Sequence, residues 1–300
     1  MNGREFLAVA KATFNEFNRA DVGFMAAALT YYIFLSLFPL ILLGLVIFSA
    51  IVDPQAARDF IFDVIERFIP GAAVWLEELI GGVLEARESS GWIALVGVGT
   101  LAFSASGAFS ALDKAINRAW GTEKMPNIFI AKLISFAMMG VIGILLILTV
   151  VVSAVISTLQ RLTTSYVGIL PGNTIIWQGI NIASSFAITV LAFTLLYRFV
   201  PRCPVRMRDV WPAALITAAI WTVAKEGFAL FLGSSFANFS AVYGALGTVI
   251  GLLIWIYISS VIILIGAEFS AETANLRAMQ AKVVRAAAEP EHRHSPWLSN

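Results

Sequence analysis

Six apolar stretches recur along this chain of 300 residues, at roughly 26–52, 91–112, 133–157, 175–200, 211–232 and 243–268. Each is long enough to cross a hydrocarbon core ~30 Å thick as an α-helix. Hydrocarbon offers no partner for backbone N–H and C=O groups, so such a segment must close its hydrogen bonds within itself. The chain is therefore expected to be all-α, a polytopic membrane bundle of six transmembrane helices with amphipathic extramembrane helices. At 59% hydrophobic and 13% charged residues, its composition excludes an ordinary soluble domain.

Outside the spans the pattern becomes amphipathic. Phe6, Ala10, Phe14 and Phe17 share a helical spacing, with Lys11, Asn15, Asn18 and Arg19 on other faces. Residues 1–25 thus read as an amphipathic N-terminal segment, on the membrane surface or against the protein's own loops, with Asp21 placed to cap the first span. Residues 26–268 form the membrane domain, which includes an outer cap at 53–90 whose two short amphipathic helices break at Pro70-Gly71. Eight acids against three bases make that cap acidic. No histidine or ordered ligand spacing accompanies Glu77 and Glu78, so they read as a solvated face, and no metal site or cofactor is expected. Span 2 is expected to run on as a helix through Trp120 until Gly121 stops it. Residues 269–300 read as a cytoplasmic helix and tail that frays after Glu289-Pro290.

The net charge of +1 hides a strong sidedness. Alternate segments between the spans hold 15 Lys and Arg against 4, with Lys225 left inside a span. The positive-inside rule then puts both termini in the cytoplasm and the acidic cap outside. A single cysteine, Cys203, excludes an internal disulfide.

Within the spans, a few residues stand out. Lys225 and Glu226 are ionisable groups inside span 5, and intramembrane charges are costly unless they face protein or water. Lys225 lies 14 residues past Trp211, about 21 Å along the helix and so in the outer half of the bilayer. Adjacent helical residues point about 100° apart, so the two are expected not to pair and each to need its own partner. A polar cavity open to the outside, formed by Lys225, Glu226, Thr222, Ser36, Tyr32 and Ser106, meets that need. The competing reading has Lys225 snorkelling to the headgroups and Glu226 accepting a hydrogen bond from Thr222. Tyr32, with Tyr31, also reads as an interfacial anchor. Pro39 should kink span 1, with Ser36 satisfying the freed backbone groups. Ala102, Ser106 and Ser110 in span 2, and Gly244, Gly247 and Gly251 in span 6, read as small-residue faces for helix packing, within the chain or between copies.

Three ordered stretches carry a resemblance. They are Tyr31-Tyr-Ile-Phe-Leu-Ser-Leu-Phe-Pro39, Ala115-Ile-Asn-Arg-Ala-Trp-Gly121, and Tyr243-Gly-Ala-Leu-Gly through Trp255-Ile-Tyr257 to Gly266-Ala-Glu268. Together they resemble the YihY/BrkB family of bacterial inner-membrane proteins over roughly residues 10–275. That resemblance implies a multi-pass inner-membrane protein of six spans with both termini inside, and it brings labels of virulence or serum resistance and of a tRNA-processing ribonuclease. The residues argue against the last label. A metal-dependent nuclease needs clustered His, Asp and Glu ligands, whereas the two histidines, His292 and His294, sit in a polar tail. No basic domain interleaved with aromatics is present to hold nucleic acid. Two functions stay open: passage of a lipid or solute through or along the bundle, and a scaffold that docks an envelope protein partner through the cap or the tail. Membrane lipids are the expected surroundings in either case.

Overall fold

A computed structural model describes residues 5, 7–13, 21–49, 55–56, 58–59, 62–63, 91–122, 127–166, 173–233 and 245–288. Every regular element among them is α-helical, and six are long: α1 (Val22–Ser49), α2 (Gly91–Ala119), α3 (Ile128–Tyr166), α4 (Asn173–Phe199), α5 (Met207–Gly233) and α6 (Ala245–Ala288). The 53–90 cap, apart from a few positions, and the tail beyond Ala288 lie outside the described residues, as does Gly244.

Among the described residues, four stretches are apolar and long enough to cross a membrane by themselves: Phe129–Leu159, Ile176–Phe199, Met207–Leu232 and Val249–Val284. α1 carries a further apolar run, Val22–Leu37. Hydroxyls on these helices fold back onto the carbonyl one turn earlier, as Thr30 does to Ala26, Thr149 to Leu145, Thr194 to Val190 and Thr222 to Ala218. This lets a polar side chain sit in an apolar helix without an orphan donor.

The helices pack as α1 on α2, α2 on α3, α3 on α4, α4 on α5 and α5 on α6, with α6 returning to α1 and α2. α6 is the central post: half of its apolar window is buried, against 11–17% for the other three. A run of aromatic contacts crosses the bundle to reach it. Tyr197 stacks on Phe193, Phe193 meets Trp221 edge-on at 5.8 Å, Trp221 meets Trp255 at 5.5 Å, and Trp255 stacks on Phe228 at 5.0 Å. Such pairs add geometric preference to burial and so fix how α4, α5 and α6 cross.

The structure adds to three expectations. The segment after Phe269 is no separate helix; α6 continues without a break to Ala288, since nothing between Gly266 and Ala288 removes a donor or favours a left-handed turn. Pro39 lies inside the continuous helix α1, and Ser36 does not serve that helix's backbone, because its hydroxyl is spent on α2 as described below. Gly251 packs within the chain, its Cα facing Leu232 of α5 closely enough that an added methyl would stand 3.7 Å from Leu232 Cδ2. Gly247 is buried as well.

Candidate functional site

Side-chain chemistry concentrates at the end of the bundle where α2 and α4 finish and α5 starts. α2 stops as its glycine predicts. Gly121 has φ +61°, its N–H donates to the Arg118 carbonyl at 2.9 Å, and Thr122 N–H donates to the Asn117 carbonyl at 2.9 Å. These two bonds make the Schellman ending that a left-handed residue permits. The turn of α2 just before it carries Asn117, which is buried. Its amide nitrogen donates to the Asp113 carbonyl (2.8 Å), to Asp113 Oδ1 (3.0 Å) and to the Val200 carbonyl (3.2 Å). Its amide oxygen accepts from Arg202 N–H (2.9 Å) and Thr122 Oγ1 (2.8 Å). Asp113 completes the lock with a close ion pair to the Arg202 guanidinium. Burial raises the Asp113 carboxyl above its ordinary value, and the Arg202 charge only partly opposes this. Nearby, Asp209 in the first turn of α5 pairs with Arg277 of α6 at 2.6 Å, in a position that also suits the helix dipole.

A second node joins α4, α5 and α6. Tyr197 is fully buried and donates to the Ile263 carbonyl at 2.9 Å, with Thr217 Oγ1 3.4 Å from its oxygen. Gly266 faces both side chains, and a Cβ there would fall on Tyr197 Oη and Thr217 Oγ1, inside any real contact distance. Glycine is required at this point because another helix's tyrosine occupies the space.

The third node joins α1, α2 and α3. Ser36 of α1 donates to the Ser104 carbonyl (3.1 Å) and accepts from Ala108 N–H (3.0 Å). Those are the two groups that an α-helix would pair directly, so the hydroxyl bridges a rung of α2's own ladder, the kind of insertion that bends helices. Gly107 leaves room for it, as a Cβ there would stand 3.0 Å from Ser36 Oγ. Next to it, Ser106 accepts from Lys132 Nζ of α3 at 2.7 Å, and Ser110 meets Ser135 at 3.0 Å. Ser106 and Ser110 thus contact α3 as packing residues do, with polar links added, while Ala102 is half-buried.

The residues expected to form one polar cavity are not brought together. Tyr32 is exposed and meets Tyr31 edge-on at 5.6 Å. Thr222 spends its hydroxyl on Ala218, and Ser36 and Ser106 belong to the α1/α2/α3 node. Lys225 and Glu226 do pair, contrary to expectation, with Nζ to Oε1 at 3.2 Å. The 100° between their Cα directions is bridged because both side chains are long and lie at an open face, 33% and 68% exposed. A cavity of about 40 Å³ between α5 and α6 is lined instead by Ile216, Ile262, Ile265 and their neighbours. Its walls are almost wholly apolar, with the Thr217 hydroxyl as the polar side chain among them, fewer than the two to four partners a water needs. Among the described residues no group of three or more His, Cys, Asp or Glu could hold a metal ion.

Asn117, Tyr197 and Lys132 were absent from the candidate set. Asn117 and Gly266 lie in two of the stretches that carry the family resemblance, which was the available signal. Tyr197 and Lys132 read in one dimension as ordinary span-end residues.

Comparison with known proteins gives a consistent picture. The family model described as "Virulence factor BrkB" matches residues 13–291. A Bacillus subtilis relative named as ribonuclease-like protein YfkH is 27% identical over 265 residues, covering 87% of this chain and 93% of its own. A UPF0761 membrane protein of Aeromonas salmonicida is 28% identical, covering 87% of each chain. The UPF0761 membrane protein PSHAa0171 of Pseudoalteromonas translucida is 29% identical, over 82% of this chain and 79% of its own. No solved structure matches significantly.

Proposed function

The chain belongs to the BrkB family of membrane proteins, and from that premise we propose that it passes a lipid or solute across the bacterial inner membrane along the outer flank of α5. The observation that carries this reading is the Lys225–Glu226 ion pair, open to the surroundings in a helix apolar enough to span the bilayer. Each charge is expensive in hydrocarbon, and the protein covers little of Glu226. Mutual attraction offsets part of that cost, and water or headgroups drawn to the flank offset the rest. The pair is then a polar step on a lipid-facing surface, suited to a headgroup or small solute moving past it, and it needs no enclosed pore. In this reading α1 to α6 all span, both termini are cytoplasmic, and the chain is no enzyme: the two histidines, His292 and His294, belong to the polar tail of the sequence and not to its apolar stretches.

The test is reconstitution of the full chain in liposomes with paired assays of lipid scrambling and small-solute flux. Wild type should accelerate one of them over empty vesicles, and Lys225→Ala and Glu226→Gln should each slow it about tenfold or more. Wild-type rates equal to those of empty vesicles, or variants as fast as wild type, defeat the proposal. A scaffold role is the second reading, favoured by Met279, Val283 and Val284, which stand exposed on the α6 extension. Inert liposomes together with a protein cross-linked through that extension would turn the conclusion to it.

A further inference from the structure

Lys132 is a cation near the start of an apolar stretch that no carboxylate compensates among the described residues. It is the fourth residue of Phe129–Leu159. Its ammonium is nevertheless held in place. Ser106, wholly buried, accepts one of its N–H bonds at 2.7 Å, and the Phe103 ring lies beneath it at 4.1 Å from the centroid. Ser106 has no further hydrogen to give, since its own proton goes to the Phe103 carbonyl at 2.6 Å. An ammonium carries three donors, so two remain for something outside the chain. A lysine that merely needed solvation would extend freely to the headgroups; this one is tethered against α2 by a hydroxyl and an aromatic face.

The surroundings select the occupant. Phe103 lies under the ammonium, and Phe129, Leu133 and Phe136, all exposed, lie within about one turn of Lys132 along α3, apolar surface suited to acyl chains, while the remaining donors suit anionic oxygen. We infer that Lys132, Ser106 and Phe103 form a binding site at the α2/α3 seam for the phosphate of an anionic phospholipid. The cation supplies the charge, Ser106 sets its position, and the aromatic wall receives the chains. The site needs only the membrane around the protein, so it stands or falls separately from any passage along α5.

Native mass spectrometry of the full-length chain in detergent tests it, with phosphatidylglycerol or phosphatidylcholine of identical acyl chains added in turn. The first phosphatidylglycerol should bind wild type about fivefold to tenfold more tightly than the first phosphatidylcholine, the scale expected of one well-placed lysine. Lys132→Gln should lose that preference and Lys132→Arg should keep it, with thermal melting confirming that both variants fold. Inorganic phosphate at millimolar concentration should leave the bound lipid in place. Three results overturn the assignment: equal binding of the two lipids by wild type, an unchanged preference in Lys132→Gln, and displacement of the lipid by inorganic phosphate, which would make the site one for free anions. The wild-type comparison decides the matter even where a variant fails to fold.

Discussion

At Gly266 a single hydrogen in place of a methyl group lets three helices meet. The Tyr197 hydroxyl occupies the space where a side chain would stand, and its bond to the Ile263 carbonyl ties α4 to α6. Gly266→Ala should destabilise the protein by about 1–3 kcal/mol, the usual cost of overpacking a tight core. Tyr197→Phe alone should cost about 1 kcal/mol, the net worth of one buried hydrogen bond. Because the phenol oxygen is itself part of the clash, the double substitution should cost less than the sum of the two. Thermal or denaturant unfolding of the four proteins in one detergent measures the coupling, and strict additivity would mean that Gly266 and Tyr197 do not act on each other. Ser36 makes a similar point about reading a residue alone. Its place before Pro39 suggested service to its own helix, yet its hydroxyl bridges Ser104 and Ala108 of α2.

At the scale of an element, α2 shows how termination and anchoring are built from the same turn. Its last helical residues put Asp113 and Asn117 one turn apart on the face that meets the α4–α5 connection, and Gly121 then reverses the chain. Among the described residues, nothing beyond its chain neighbours lies within 4 Å of where a Gly121 Cβ would be, so the demand seen there is conformational. Gly121→Ala should cost about 1–2 kcal/mol from the left-handed backbone, whereas Gly121→Asn should cost visibly less, since asparagine tolerates that region. Circular-dichroism melts of the two variants against wild type check this order; equal losses would show that side-chain crowding, not φ, governs the position. On α5 the helical wheel separated Lys225 from Glu226 correctly at the Cα level. It failed at the side-chain tips, where two long flexible chains at an open face close the gap.

For the molecule as a whole, ion pairs gather at one end of the bundle among the described residues. The Asp113–Arg202 and Asp209–Arg277 pairs cross-tie α2, α5, α6 and the α4–α5 connection at one end, and the same connection carries Cys203, the one thiol of the chain. On the proposed topology of six spans and cytoplasmic termini, that thiol faces the cytoplasm. A membrane-impermeant maleimide should therefore label Cys203 in inverted inner-membrane vesicles and leave it unlabelled in intact cells. Burial raises the thiol above its ordinary pKa, so labelling should be slow at neutral pH and faster in mild alkali, where more thiolate forms. Labelling of intact cells under the same conditions would reverse the orientation.

The helical class, the positions of the apolar stretches, the stop at Gly121 and the sidedness of charge were all legible in the sequence. Each follows from a local quantity: transfer of apolar groups into hydrocarbon, the φ of one residue, or the count of Lys and Arg in one loop. Three of the long helices gave an incomplete picture for the same reason. α1 and α2 carry small and polar residues that serve each other's packing, and α6 runs on past its apolar part because helix propensity continues where hydropathy ends. What only the tertiary structure decided is which side chains meet. Asn117 reaches Val200 and Arg202, Tyr197 reaches Ile263, Ser36 enters α2, and Lys132 is tethered to Ser106 over Phe103. Those pairings depend on how helices far apart in sequence cross, and periodicity within one helix carries no information about the face of another.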